Sequence, residues 1–88
     1  MNADAGLVSG SILVVDDDAA LRRLIELSLA DDGMTVEPAS NGAQALAIAT
    51  RRTPAAVVLD YGLPDADAAA LIDAIRAVCG RAVAVVLI

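Results

Sequence analysis

The sequence predicts an α/β fold, a doubly wound parallel sheet with helices on its faces. Short apolar runs of Val, Leu, Ile and Ala alternate with segments of helical periodicity in the order β-α-β-α-β-α-β. Two of the runs end on carboxylates: Ser11-Ile12-Leu13-Val14-Val15 meets Asp16-Asp17-Asp18, and Ala55-Ala56-Val57-Val58-Leu59 meets Asp60, with a Gly62/Pro64 turn behind it. In an open parallel sheet, ligands bind at the carboxyl ends of strands, where connections leave in opposite directions. Two strands that finish in carboxylates therefore predict an acidic pocket. Such a pocket suits a hard divalent cation and the anion chemistry that needs one.

Each element has a local cause. Met1–Gly10 is small, polar and Gly-containing, and reads as a flexible N-terminal tail. After the first strand, Asp18 is placed to cap a helix in which Leu21, Leu24, Ile25 and Leu29 recur at helical spacing. Arg22, Arg23 and Glu26 fall on its other side, within reach of local ion pairs. Gly33 is placed to end that helix in a left-handed conformation, and Thr35–Ala39 forms a short second strand. Asn41, with Gln44 three residues on, is an N-cap signature for a helix from Ala43 to about Arg52. Arg51 and Arg52 suit the negative end of its dipole, and Pro54 stops it before the third strand. Asp67 can cap a third helix whose apolar stripe is Leu71, Ile72, Ile75, Val78 and Cys79, with Gly80 as its end. Ala82–Ile88 is a fourth strand, apolar as expected of one covered on both faces.

Composition sets bounds. At 88 residues the chain is one small domain, and its core has to be built from Ala, Val, Leu and Ile, since Phe and Trp are absent and Tyr61 is the one aromatic residue. A net charge of −6 without a single lysine argues against direct contact with nucleic acid, which needs clustered cations. One cysteine, Cys79, permits no intrachain disulfide, and the lack of His removes His-based triads and His-ligated metals. Cys79 reads as a small buried thiol at a helix end. Neither a signal-peptide pattern nor a run of membrane-spanning length occurs, so a cytoplasmic protein without membrane contact is expected.

Three blocks carry a family resemblance: Ile12-Leu13-Val14-Val15-Asp16-Asp17-Asp18, Asn41-Gly42-Ala43-Gln44-Ala45-Leu46 and Val58-Leu59-Asp60-Tyr61-Gly62-Leu63-Pro64-Asp65. In order and spacing they resemble the receiver domain of bacterial two-component response regulators, over residues 11–88. The resemblance implies a flavodoxin-like receiver fold, incomplete here, with the family's last strand and helices missing. It implies that Asp60 is the phosphoacceptor, forming an aspartyl phosphate. The metal would be Mg²⁺, bound directly by Asp17 and Asp60, through water by Asp16, and by the main-chain carbonyl of Gly62. A sensor histidine kinase or a histidine phosphotransfer protein would supply the phosphoryl group.

The residues themselves fit that chemistry. An Asp carboxylate can attack phosphorus and form an acyl phosphate, and phosphoryl transfer leaves the protein chiefly positioning and charge stabilisation. Two anions repel, so a cation has to bridge them. For Asp16–Asp18 the simpler reading is a helix N-terminus rich in favourable negative charge; it accounts for Asp18 but not for the further carboxylate at Asp60. Pro64, Asp65 and Asp67 read as loop and cap, and Tyr61 as a residue at the pocket rim.

The chain departs from the family pattern in two places. Ala68 stands where Gly is usual, and the Ser/Thr after the fourth strand and the Lys after the fifth have no counterpart up to Ile88. Apolar residues of Ile12–Val15 and Ala82–Ile88 are accordingly expected to face water, with self-association or a complementing fragment as the remedy. Two further functions remain open: an unphosphorylated receiver-like scaffold, and a phosphatase that uses the Asp-x-Asp of Asp16–Asp18 with Asp16 as nucleophile.

Overall fold

Four strands and three helices follow one another in strict alternation in the computed structural model, which describes residues 11–88; the tail expected at Met1–Gly10 lies outside the described residues. The elements are β1 (Ser11–Val15), α1 (Ala19–Asp31), β2 (Thr35–Ala39), α2 (Gly42–Arg51), β3 (Ala56–Leu59), α3 (Ala68–Cys79) and β4 (Ala84–Leu87). The sheet is parallel throughout, in the order β2-β1-β3-β4. From β1 the chain leaves toward β2, and from β3 it leaves toward β4. The switch point of the doubly wound sheet therefore falls between β1 and β3.

The caps explain where the helices begin. Asp18 accepts from the N–H groups of Ala20 and Leu21 at 3.0 and 3.1 Å, Asn41 from Gln44 at 2.8 Å and Asp67 from Ala70 at 3.1 Å. The reciprocal bond of Gln44 lands one residue earlier than a capping box would place it, on the N–H and hydroxyl of Ser40, each at 2.9 Å. At the end of α1, Met34 N–H donates to Leu29 and Gly33 N–H to Ala30, with Gly33 at φ 82°. This is a Schellman motif, and the left-handed residue it requires is the glycine the sequence offers. Arg51 closes α2, whereas Arg52 lies just past it; both reach Glu37 of β2, at 3.7 and 3.4 Å. These exposed pairs locate the helix more than they stabilise it.

Alternation along the strands separates two faces. Leu13, Val15, Val57 and Leu59 join Ala45, Ala49, Leu71 and Ile75 in one buried cluster beneath α2 and α3, which also pack on each other. The small alanines of α2 allow that approach. Cys79 is half-buried there, its Sγ 3.6 Å from the carbonyl of Ala49. On the other face α1 packs on β1 and β2 without burying any residue fully, and Leu24 stays 63% exposed.

Two expectations need correction. β1 does not face water: Leu13, Val14 and Val15 are fully buried and only Ile12 is half-covered, because β1 is an interior strand flanked by β2 and β3 and roofed by helices. The fourth strand is shorter than Ala82–Ile88, since Arg81-Ala82 form a turn and Val83 drops into the core before β4 starts. It is not covered on both faces either. Val86 is 54% exposed, and Leu87 and Ile88 are similarly open, since β4 is an edge strand of the described sheet.

Truncation should separate the two sides. Ile75→Ala removes a fully buried side chain and is expected to cost about 2–5 kcal/mol in urea-induced unfolding. Leu24→Ala should change stability by no more than about 0.5 kcal/mol.

Candidate functional site

Strand register brings the acids together. β1 and β3 pair directly, Val15 opposite Leu59, so the residues that follow each strand emerge side by side. The sheet ladder continues one step into them: Asp60 N–H donates to the Val15 carbonyl at 2.9 Å, and Asp16 N–H to the Ala39 carbonyl at 3.1 Å. One oxygen from each of Asp16, Asp17 and Asp60 falls within 4.8 Å of the others. Asp16 is the floor of this group, at 1% exposure, Asp60 is half-buried and Asp17 is open to solvent.

The surroundings orient each carboxylate. Asp16 Oδ1 accepts from Asp18 N–H at 2.9 Å, while its buried Oδ2 has no hydrogen-bond partner. Asp60 Oδ1 accepts from Gly62 N–H at 3.0 Å, which folds the turn after β3 back onto the acid. Burial pushes the Asp16 carboxyl above its ordinary range, and the neighbouring charges of Asp60 and Asp17 push in the same direction; the Asp18 N–H opposes them. A buried carboxylate oxygen without a donor, facing two further acids, is a place where a cation lowers the energy of the assembly.

Asp16, Asp17 and Asp60 are thus brought together as the sequence suggested. Asp18 points into the first turn of α1 as its cap and stands outside the group. Gly62 adjoins it through the N–H bond to Asp60. Tyr61 is 73% exposed, and its N–H donates to the Ile88 carbonyl at 3.2 Å.

Two residues emerge that sequence reasoning had placed elsewhere. Arg22, expected on the outer side of α1, turns back and donates from its guanidinium to the Asp16 carbonyl at 2.7 Å. Asp65, expected to belong only to its own loop, accepts from Gly42 N–H at 2.9 Å and Ala43 N–H at 3.3 Å, at the start of α2. The spacing of Arg22, one helical turn past the Asp18 cap, was a usable signal. Asp65 had none, because its partners lie 22 and 23 residues away.

A parallel sheet whose switch point gathers three carboxylates defines an α/β module with an acidic site at its carboxyl edge. The chain belongs to the response regulator receiver domain family, whose profile matches residues 12–88. It is 40% identical over 74 residues to the transcriptional regulatory protein PrrA of Mycobacterium tuberculosis, covering 84% of this chain and 32% of that protein. It is also 40% identical over 57 residues to the KDP operon transcriptional regulatory protein KdpE of Escherichia coli, covering 65% of this chain and 25% of that one. The chain thus spans a third or less of the length of these relatives. A receiver domain from Clostridium thermocellum superposes with a TM-score of 0.81 at 26% identity, over 89% of this chain and 63% of that one. The chemotaxis protein CheY4 of Vibrio cholerae gives 0.74 at 29%, over 77% and 57%. The sheet and its helices are those of the flavodoxin-like receiver fold. Among the described residues, no helix is long and apolar enough to cross a membrane.

The raised Asp16 carboxyl has a thermodynamic sign. Its folded form binds a proton more tightly than its unfolded form, so its contribution to stability is complete below the ordinary value of 3.8 and is lost as pH rises through the folded value. With chelator present, Asp16→Asn should therefore melt above the parent chain at neutral pH. The difference should shrink as pH falls toward 4, which thermal melts across that range would read.

Proposed function

We propose that this chain is the phosphoacceptor part of a two-component response regulator, with Asp60 as the residue that takes the phosphoryl group and Mg²⁺ as the required ion. The observation that carries the reading is the group of Asp16, Asp17 and Asp60 at the β1/β3 switch point, with the buried Asp16 Oδ2 lacking any donor. The donor set fits a hard, oxygen-preferring divalent cation, and no nitrogen or sulfur ligand competes in it. Asp17 and Asp60 would ligate directly, Asp16 through water, and the Gly62 main-chain carbonyl would complete the protein's share. When bound, Mg²⁺ supplies positive charge against which a carboxylate and a phosphoryl group can approach.

The residues divide the remaining work. Asp60 directly follows β3 at the switch point and is partly open to solvent, whereas Asp16 is sealed beneath the group; Asp17 is the more open residue but follows β1 by one further position. A carboxylate oxygen of Asp60 forms the new O–P bond. The P–N bond to a donor histidine breaks, and its electron pair returns to the imidazole, which retains or regains a proton from solvent. The Gly62 N–H fixes the other Asp60 oxygen, so the attacking one is presented in a single orientation. The burial of Asp16 and the use of Asp18 as a cap both speak against an Asp16-centred phosphatase. The donor is a sensor histidine kinase or a histidine phosphotransfer protein, the class of partner that receiver domains of response regulators engage.

Incubation with acetyl phosphate and Mg²⁺ should add one phosphoryl mass to the intact chain, and Asp60→Asn should abolish the gain. A folded chain that takes up no phosphoryl group would overturn the reading in favour of an unphosphorylated interaction surface. In calorimetric or NMR titrations, Asp17→Asn should weaken Mg²⁺ binding by about tenfold or more. Asp18→Asn should leave it within about twofold, because Asn caps a helix as well as Asp does.

A further inference from the structure

The loop from Asp60 to Asp67 carries the proposed acceptor and the proposed main-chain ligand, yet its own sequence does little to fix it. Its first half is held by the Asp60–Gly62 bond and by Leu63, which is buried in the core. Its second half is held from outside. The two oxygens of Asp65 take the N–H groups of Gly42 and Ala43, the first two residues of α2. Asn41 takes the third, that of Gln44. Three of the free donors of that helix start are thereby satisfied, two of them by a side chain from the loop.

Gly42 makes the approach possible. A Cβ built at this position would meet the Cβ of Ala66 at 2.7 Å, closer than real side chains come. The backbone of α2 and the loop are in direct contact at the residue next to Asp65. Charge and fit act together here: a carboxylate at a helix N-terminus is favoured by the helix dipole, and the missing side chain of Gly42 lets it arrive.

We propose that Asp65 is a positioning residue for the acidic site, clasping the β3–α3 loop to the N-terminus of α2 so that Gly62 and Asp60 keep the geometry that metal binding and phosphoryl transfer require. This rests on the phosphoacceptor reading above. Asp65 itself touches neither metal nor phosphoryl group; it acts through the four residues between it and Asp60.

The test compares Asp65→Ala, Asp65→Asn and Gly42→Ala in the full chain, by Mg²⁺ titration and by amide hydrogen exchange in the metal-free state. Asp65→Ala should lower Mg²⁺ affinity about tenfold and speed exchange at the amides of Gly62 and Ala43. Asp65→Asn removes the same charge but retains an acceptor for Gly42, and should stay within about threefold of the parent chain. Gly42→Ala alters no charge and should reproduce the loss by pushing Ala66 away. A role confined to stability would lower the melting temperature of Asp65→Ala while leaving Mg²⁺ affinity unchanged in the folded chain, and that result would overturn the proposal. So would equal losses in the Ala and Asn variants, which would reduce the effect to charge. Should Asp65→Ala fail to fold, Gly42→Ala and Asp65→Asn decide between the same outcomes. A parent chain that binds no Mg²⁺ would instead sink the phosphoacceptor reading, with the exchange rates still reporting whether the clasp holds the loop.

Discussion

The direct pairing of β1 with β3 is the constraint on which the acidic edge depends. Parallel register sets residues Val15 and Leu59 opposite each other, and the ladder bond from Asp60 N–H to the Val15 carbonyl carries that register into the site. Carboxylates free to move would separate. Here the backbones of Asp16 and Asp60 are tied to the sheet, so the repulsion cannot be relieved by drifting apart, and it adds to the burial that chiefly raises the Asp16 carboxyl. The core beneath resists any shift of one strand against the other, because Leu13, Val15, Val57 and Leu59 would lose their burial together.

A core without Phe or Trp has to obtain its density from close approach. Ala45 and Ala49 present almost no side chain toward the sheet, which brings α2 down onto β1 and β2 and alongside α3. The same economy of side chains recurs at Gly42, where the loop after β3 meets the start of α2. Small residues thus serve two ends in this chain: they close the interior and bring the β3–α3 loop and a helix terminus into contact.

Much of the fold was legible because it is written in local signals. Asp18, Asn41 and Asp67 announce helix starts by chemistry that reaches two or three residues, and Gly33 announces a stop by a dihedral angle few other residues adopt. The acids of the site were legible too, since a strand that ends in a carboxylate places it at a known edge. Asp65 was not, because its role depends on a contact across the fold between segments that share no sequence pattern. Arg22 was assigned to the outer side of α1, and a long flexible side chain can return from there to the Asp16 carbonyl. The burial of β1 was misjudged for a related reason, while the exposure expected within Ala82–Ile88 is met by Val86, Leu87 and Ile88. Coverage depends on which strand lies inside the sheet, and an apolar run reads the same in either place.

The shallow seat of α1 couples it to the acids it precedes in space. This helix buries none of its own residues fully, although Val14 of β1 lies buried on the face it covers, so it is held to the sheet less firmly than α2 or α3. Its first turn nevertheless holds two of the restraints on Asp16: the Asp18 N–H that meets Oδ1, and the Arg22 guanidinium on the carbonyl. Sub-global opening of α1 would release both at once and leave the Asp16 side chain without its hydrogen-bond donor. Any ion that binds only the closed arrangement would then hold α1 down by mass action, at some cost in its own apparent affinity, and the helix becomes a reporter of site occupancy.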